Sequence, residues 1–85
     1  MDDQKLIERY IDLDTDRYPG GKADARLRTY GVSVWALIGY LHVVDNSVAR
    51  VAEDYGLPGE AVEAALAYYR HHRQPIDARL LLNTA

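Results

Sequence analysis

Between residues 47 and 66 the chain reads SVARVAEDYGLPGEAVEAAL, and this stretch leaves few folds open. Ser47 is a helix-capping residue type, and Val48, Val51, Ala52 and Tyr55 follow at the i, i+3, i+4, i+7 spacing of one apolar helix face. Gly56 ends that helix, because glycine enters the left-handed conformation without steric cost. Leu57 fills the corner, Pro58 is tolerated in a first helical turn, and Val62, Ala65, Leu66 and Tyr69 restart the period. Ala52 is small where two helices must cross closely. The pattern predicts a helix-turn-helix over 47–69. Such a corner serves as plain scaffold as well as in nucleic-acid contact, so it carries no function by itself.

Charge falls into blocks that the formal total of −3 conceals. From Asp45 to Tyr69 one arginine, Arg50, stands against five carboxylates. Two of these, Glu60 and Glu63, belong to the second helix of the corner, the one that would enter a major groove. Carboxylates there meet a phosphate polyanion unfavourably. From Arg17 to Arg28 the balance reverses, with four cations against Asp24. DNA contact is therefore expected from Lys22, Arg26 and Arg28, joined by Ser47, Arg50 and Gly59 at the corner. A solvated mixed surface accounts for the same charges.

Eighty-five residues make one small domain whose core is marginal alone, so a homodimer or a stabilising partner is expected. A hydrophobic content of 48% argues against disorder. Without cysteine there is no disulfide, thiolate metal site or cysteine nucleophile. No charged-then-apolar leader opens the chain and no apolar run is long enough to span a bilayer, which predicts a cytoplasmic protein.

Within 1–30, DQKLIER at 3–9 suits a short helix, while Tyr10 to Asp14 and Ala25 to Tyr30 alternate apolar and polar residues. These two runs predict the strands of an antiparallel hairpin around a long basic loop containing Pro19, Gly20 and Gly21. Ser33 is placed to cap an apolar helix from Val34 to Val44, which reads as the buried centre of the domain with His42 at its edge. A further helix runs from about Gly59 to His72, is broken by Pro75, and leads to a short helical tail at 75–85. Tyr69 continues the stripe of Val62 and Leu66, which turns Tyr68 outward beside Arg70, His71 and Arg73. Ile76, Leu80 and Leu82 give the tail an apolar face that either packs back on the core or docks on a partner. The expected fold is mainly α: a helix-turn-helix, winged-helix-like domain of three to four helices with its helical core at 33–72 and a short N-terminal β-hairpin.

No catalytic constellation assembles. Both serines sit where helix caps are needed, and Gly20-Gly21 lacks the surroundings of a phosphate loop. Adjacent His71 and His72 diverge by about 100° on a helix and cannot chelate as an i, i+4 pair would. The expectation is a non-enzyme with no cofactor and no metal. Exposed tyrosine and arginine anchor protein interfaces, although cations near a helix C-terminus are also favoured by its dipole. The candidate partner-binding set is Tyr68, Arg70, His71, Arg73, Ile76, Arg79 and Leu80.

Three segments, ARLRTYGVSVWALIGYL, VARVAEDYGLPGEAVEAALAYY and RHHRQPIDARL, together resemble the bacterial family known as domain of unknown function 433, whose members are often antitoxin-like. The likeness runs roughly from Ala25 to Leu82. It implies a winged-helix-like or helix-turn-helix dimer that pairs with a small PIN-like ribonuclease toxin and represses its own operon through operator DNA. Arg28 then matches a basic strand position, and Tyr68, Arg70, Arg73, Ile76 and Arg79 fall in a C-terminal signature. The expected function is the antitoxin-like component of a type II toxin–antitoxin pair. It would dimerise partly through its hairpin and bind the toxin with its C-terminal helix and tail. Arg79 or Arg73 would pair with the nuclease's metal-binding carboxylates. A stand-alone helix-turn-helix transcriptional regulator and a structural interaction module without DNA binding are the alternatives.

Overall fold

The computed structural model describes residues 2–84, apart from the side chains of residues 17, 83 and 84. Five α-helices follow one another among them: α1 (Asp3–Tyr10), α2 (Val34–Val43), α3 (Val48–Tyr55), α4 (Gly59–His71) and α5 (Arg73–Thr84). Two 3-10 turns, Thr15–Arg17 and Gly21–Asp24, lie between α1 and α2. None of these helices is long and apolar enough to cross a membrane.

The corner forms from the cap chemistry of its sequence. The Ser47 hydroxyl accepts a hydrogen bond from the Arg50 amide at 3.2 Å, which opens α3. Gly56 closes it in the left-handed region, at φ +66°. The Leu57 amide then donates to the Ala52 carbonyl (2.8 Å) and the Gly56 amide to that of Glu53 (3.3 Å), the paired bonds of a Schellman motif. Leu57 is buried behind the turn and Pro58 occupies the N-cap position of α4.

α4 is the post around which the domain assembles. Ala61, Val62, Ala64, Ala65, Ala67 and Tyr68 are buried, and α1, α2, α3 and α5 all pack against it. The centre is therefore not α2, as its composition predicts. That helix buries one stripe, Val34, Leu37, Ile38 and Leu41, and leaves His42 exposed and Val43 74% exposed. Alanine adds little hydropathy but lets helix axes approach closely, so an alanine-rich centre is hard to see in a hydropathy pattern. The two tyrosines of α4 are also reversed from expectation: Tyr68 is core and Tyr69 is half-buried. Ser33 does stand at the N-cap of α2, but its side chain makes no capping bond.

The N-terminal β-hairpin does not form. α1 runs on through Tyr10, and among the described residues the two expected strands contribute one isolated antiparallel bridge to each other, Ile11 to Leu27. Its bonds are real: the Asp12 amide donates to Arg26 (2.9 Å) and the Arg28 amide to Tyr10 (2.7 Å). The second segment cannot continue because it turns back on itself at Gly31, φ +69°. There Leu27 bonds Val32, and Arg26 makes its own bridge to Ser33. Ile11 and Leu27 are fully buried, so the alternation expected of strands reflects two apolar plugs within irregular chain.

Pro75 does not separate α5 from the chain before it. α4 ends at His71, α5 starts at Arg73, and proline sits in the first turn of α5 where an amide hydrogen is not required. Ile76 is fully buried and Leu80 reaches α2 at Gly39, where a Cβ would lie 3.1 Å from Leu80 Cδ2. The tail thus packs back on the core through this one face.

Candidate interaction surfaces

The face of α4 left for a ligand is narrow. Gly59, Glu63, Arg70 and His71 are its exposed residues. Glu60 is taken by α1: it accepts from the Tyr10 hydroxyl at 2.9 Å and lies 3.9 Å from Arg9. That bond raises the pKa of the Tyr10 phenol. At the other end Arg70 donates to both carboxylate oxygens of Asp3 (3.0 and 3.3 Å), and His71 lies 3.5 Å from the same group. The Arg70 hydrogen bond holds the Asp3 carboxyl below its ordinary range. Between these clasps, Leu6, Val48, Glu63 and Leu66 line a shallow groove walled by α1 and α3. α4 is thus recessed, and its exposed stripe offers one carboxylate, Glu63, and no unpaired arginine.

The residues expected at DNA are scattered among different tasks. Ser47 caps α3, and Gly59 is exposed with open space beside it. Arg50 donates to Asp54 at 2.9 Å, and the Tyr40 hydroxyl binds the same carboxylate. The Tyr40 bond first, and then Arg50, lowers the Asp54 pKa. Arg28 donates through Nη2 to the carbonyls of Glu8 (3.0 Å) and Ile11 (2.9 Å), closing the C-terminal end of α1. Arg26 is exposed, with its guanidinium 5.1 Å from the Tyr18 ring centre. Lys22 is exposed as well.

The expected partner-binding set divides in the same way. Tyr68 and Ile76 are buried and unavailable to a partner. The Tyr68 hydroxyl donates to the Lys22 carbonyl at 3.1 Å and its ring stacks on His72, so its tasks are internal. Leu80 packs against the core. Arg79 is half-buried and engaged within the fold, with Nε 3.4 Å from Asp24 and its guanidinium 5.2 Å from the Trp35 ring. Arg70 and His71 are exposed but joined to Asp3. Arg73 stays exposed, its guanidinium 5.3 Å from the Tyr69 ring.

Two residues outside the expected set change the picture. Leu81 and Leu82 are 70% and 72% exposed on the outward side of α5. A signal for them exists in the sequence: three consecutive leucines on a helix fan over about 200°, too wide for all to face one core. The Tyr40–Asp54–Arg50 cluster was half visible, since Arg50 and Asp54 are spaced i, i+4; Tyr40 comes from another helix. Among the described residues, no group of three or more His, Asp or Glu side chains is placed to hold a metal ion. No protein-family model, curated protein or solved structure matches this chain.

Proposed function

We propose that the chain is an antitoxin-like protein, of the kind its resemblance to domain of unknown function 433 implies, and that it binds a PIN-like ribonuclease through α5. The observation that carries this reading is the outward face of that helix. Leu81 stands exposed eight residues after the exposed Arg73, about 12 Å along the helix axis and about 80° round it, and the exposed Leu82 lies about 100° further round. Such a face suits a partner with an anionic pocket beside an apolar groove, the layout of a metal-dependent nuclease site. Since Arg79 is held by Asp24 and Trp35, the role of the arginine at the nuclease carboxylates passes to Arg73. On this reading the α3–α4 corner is the scaffold of a helix-turn-helix dimer.

Co-expression with the product of the adjacent gene, followed by co-purification, tests the reading. A stoichiometric complex that silences a ribonuclease is expected, with Arg73→Ala restoring nuclease activity. A harmless neighbour that never co-purifies would sink it.

Operator binding is a second reading, favoured by Lys22 and Arg26, which are exposed and make no ion pair among the described residues. Binding to the chain's own promoter should then fall steeply with salt, and less steeply in a Lys22→Gln, Arg26→Gln variant.

A further inference from the structure

We propose that the junction between α4 and α5 is a proton-responsive hinge, in which a charge on His72 loosens α5 and weakens the face that helix presents. The consequence for docking rests on the reading of α5 given above; the hinge itself rests on the junction.

His72 alone separates the two helices. Its ring stacks on Tyr68 with centroids 4.3 Å apart and planes tilted by 36°. Because the Tyr68 hydroxyl bonds the Lys22 carbonyl, the Gly21–Asp24 turn is held at the same place. The His72 carbonyl accepts the Ile76 amide at 3.4 Å, and Ile76 is the buried anchor of α5. A shift of His72 therefore reaches the first turn of α5 directly.

The surroundings oppose an imidazolium. Lys22 acts on His72 from the Gly21–Asp24 turn and His71 from α4, and Arg73 follows it in α5 with its guanidinium over Tyr69. Tyr68 brings a phenol, whose ring face attracts a cation only modestly. The nearby acid of α1, Asp3, is already shared by Arg70 and His71. The C-terminus of α4 and the N-terminus of α5 meet at this residue and act on an imidazolium in opposite senses. Burial is the largest influence lowering the His72 pKa, followed by Lys22 and then His71. A depressed folded value means that the junction is fully stable above the ordinary histidine value of 6.5. It loses stability as pH falls through the lowered one.

Backbone amide exchange by NMR on the free protein, at pH about 7.5 and about 5.5 and corrected for intrinsic rates, reads the hinge directly. Imidazole titration runs beside it. Acid should reduce protection in α5 several-fold more than in α2, with His72 titrating below the ordinary value. His72→Phe keeps a stacked ring but cannot charge, and should abolish the difference. Lys22→Met leaves His72 in place, and should raise its titration midpoint and shrink the acid effect, which covers a His72 variant that folds poorly. The proposal is overturned if His72 titrates at or above the ordinary value. Equal acid response in α2 and α5, or an unchanged response in His72→Phe, would also overturn it. All of this is read without a partner, so failure to capture a nuclease bears on the docking reading and not on the hinge.

Discussion

α1 and α5 both lie on the outside of the helical core, yet they finish its surface differently. α1 buries Leu6 and Ile7, is clasped at each end by Asp3–Arg70 and Tyr10–Glu60, and turns Gln4, Lys5, Glu8 and Arg9 to solvent. α5 buries Ile76, is held by Arg79–Asp24 and by the Tyr69 hydroxyl on Asp77 (2.7 Å), and turns Ala78, Leu81 and Leu82 outward. A helix that only covers a core needs no apolar patch on its far side, and neighbouring exposed leucines form a small one that association can use. The contrast in exposed apolar surface is what the proposed contact through α5 rests on.

The comparison breaks first at the anchors. Ile7→Ala and Ile76→Ala should each cost about 2–5 kcal/mol in chemical denaturation, since both side chains are buried. A loss below about 1 kcal/mol for Ile76→Ala would mean that α5 is an appendage. A smaller effect, about 1–2 kcal/mol, is expected from Arg79→Ala, which removes the cation beside the largely buried Asp24, leaving that carboxylate its bond from the Gly20 amide, and uncovers Trp35. Arg70→Ala removes a more exposed pair, so its cost should be slight and should vanish in high salt. The same pair gives α1 a pH signature. With the folded Asp3 pKa below its ordinary 3.8, its contribution is complete above that value and lost as pH falls through the folded one. Acid titration of Arg70→Ala should lack that component. Smallest of all for stability is Leu81→Gln with Leu82→Gln, within about 0.5 kcal/mol of the parent. For partner capture this double change should be the most damaging, whereas Lys5→Gln on α1 should leave both properties alone.

What the sequence made legible follows from how local each cause is. Ser47 and Gly56 announce their helix ends because a cap is settled within a few residues, and both ends stand where expected. The hairpin failed because alternation around Ile11 and Leu27 records burial, and burial alone does not make a strand. Gly31 was the available warning, since a left-handed turn there folds the second segment back. Tyr68 and Tyr69 were exchanged because their order depends on how much of α4 its neighbours cover, a tertiary fact. The same holds for the candidate surfaces. Arg28, Arg50 and Arg79 look alike in sequence as exposed cations, yet each is engaged by a group distant in the chain or one turn away. Arg73 kept its exposure and is the member of the expected set on which the proposed contact now rests.

The alanines of α4 bear on how such a chain can drift. A buried leucine that changes can often be absorbed by a rotamer shift next door, but Ala64 and Ala65 are fully buried in the helix against which the other four pack. Enlarging either would require neighbouring helices to retreat together, a concerted change that single substitutions rarely supply. The outer face of α2 is under no such restraint. Across descendants of this sequence, the plainest residues in the molecule should therefore be among the slowest to vary.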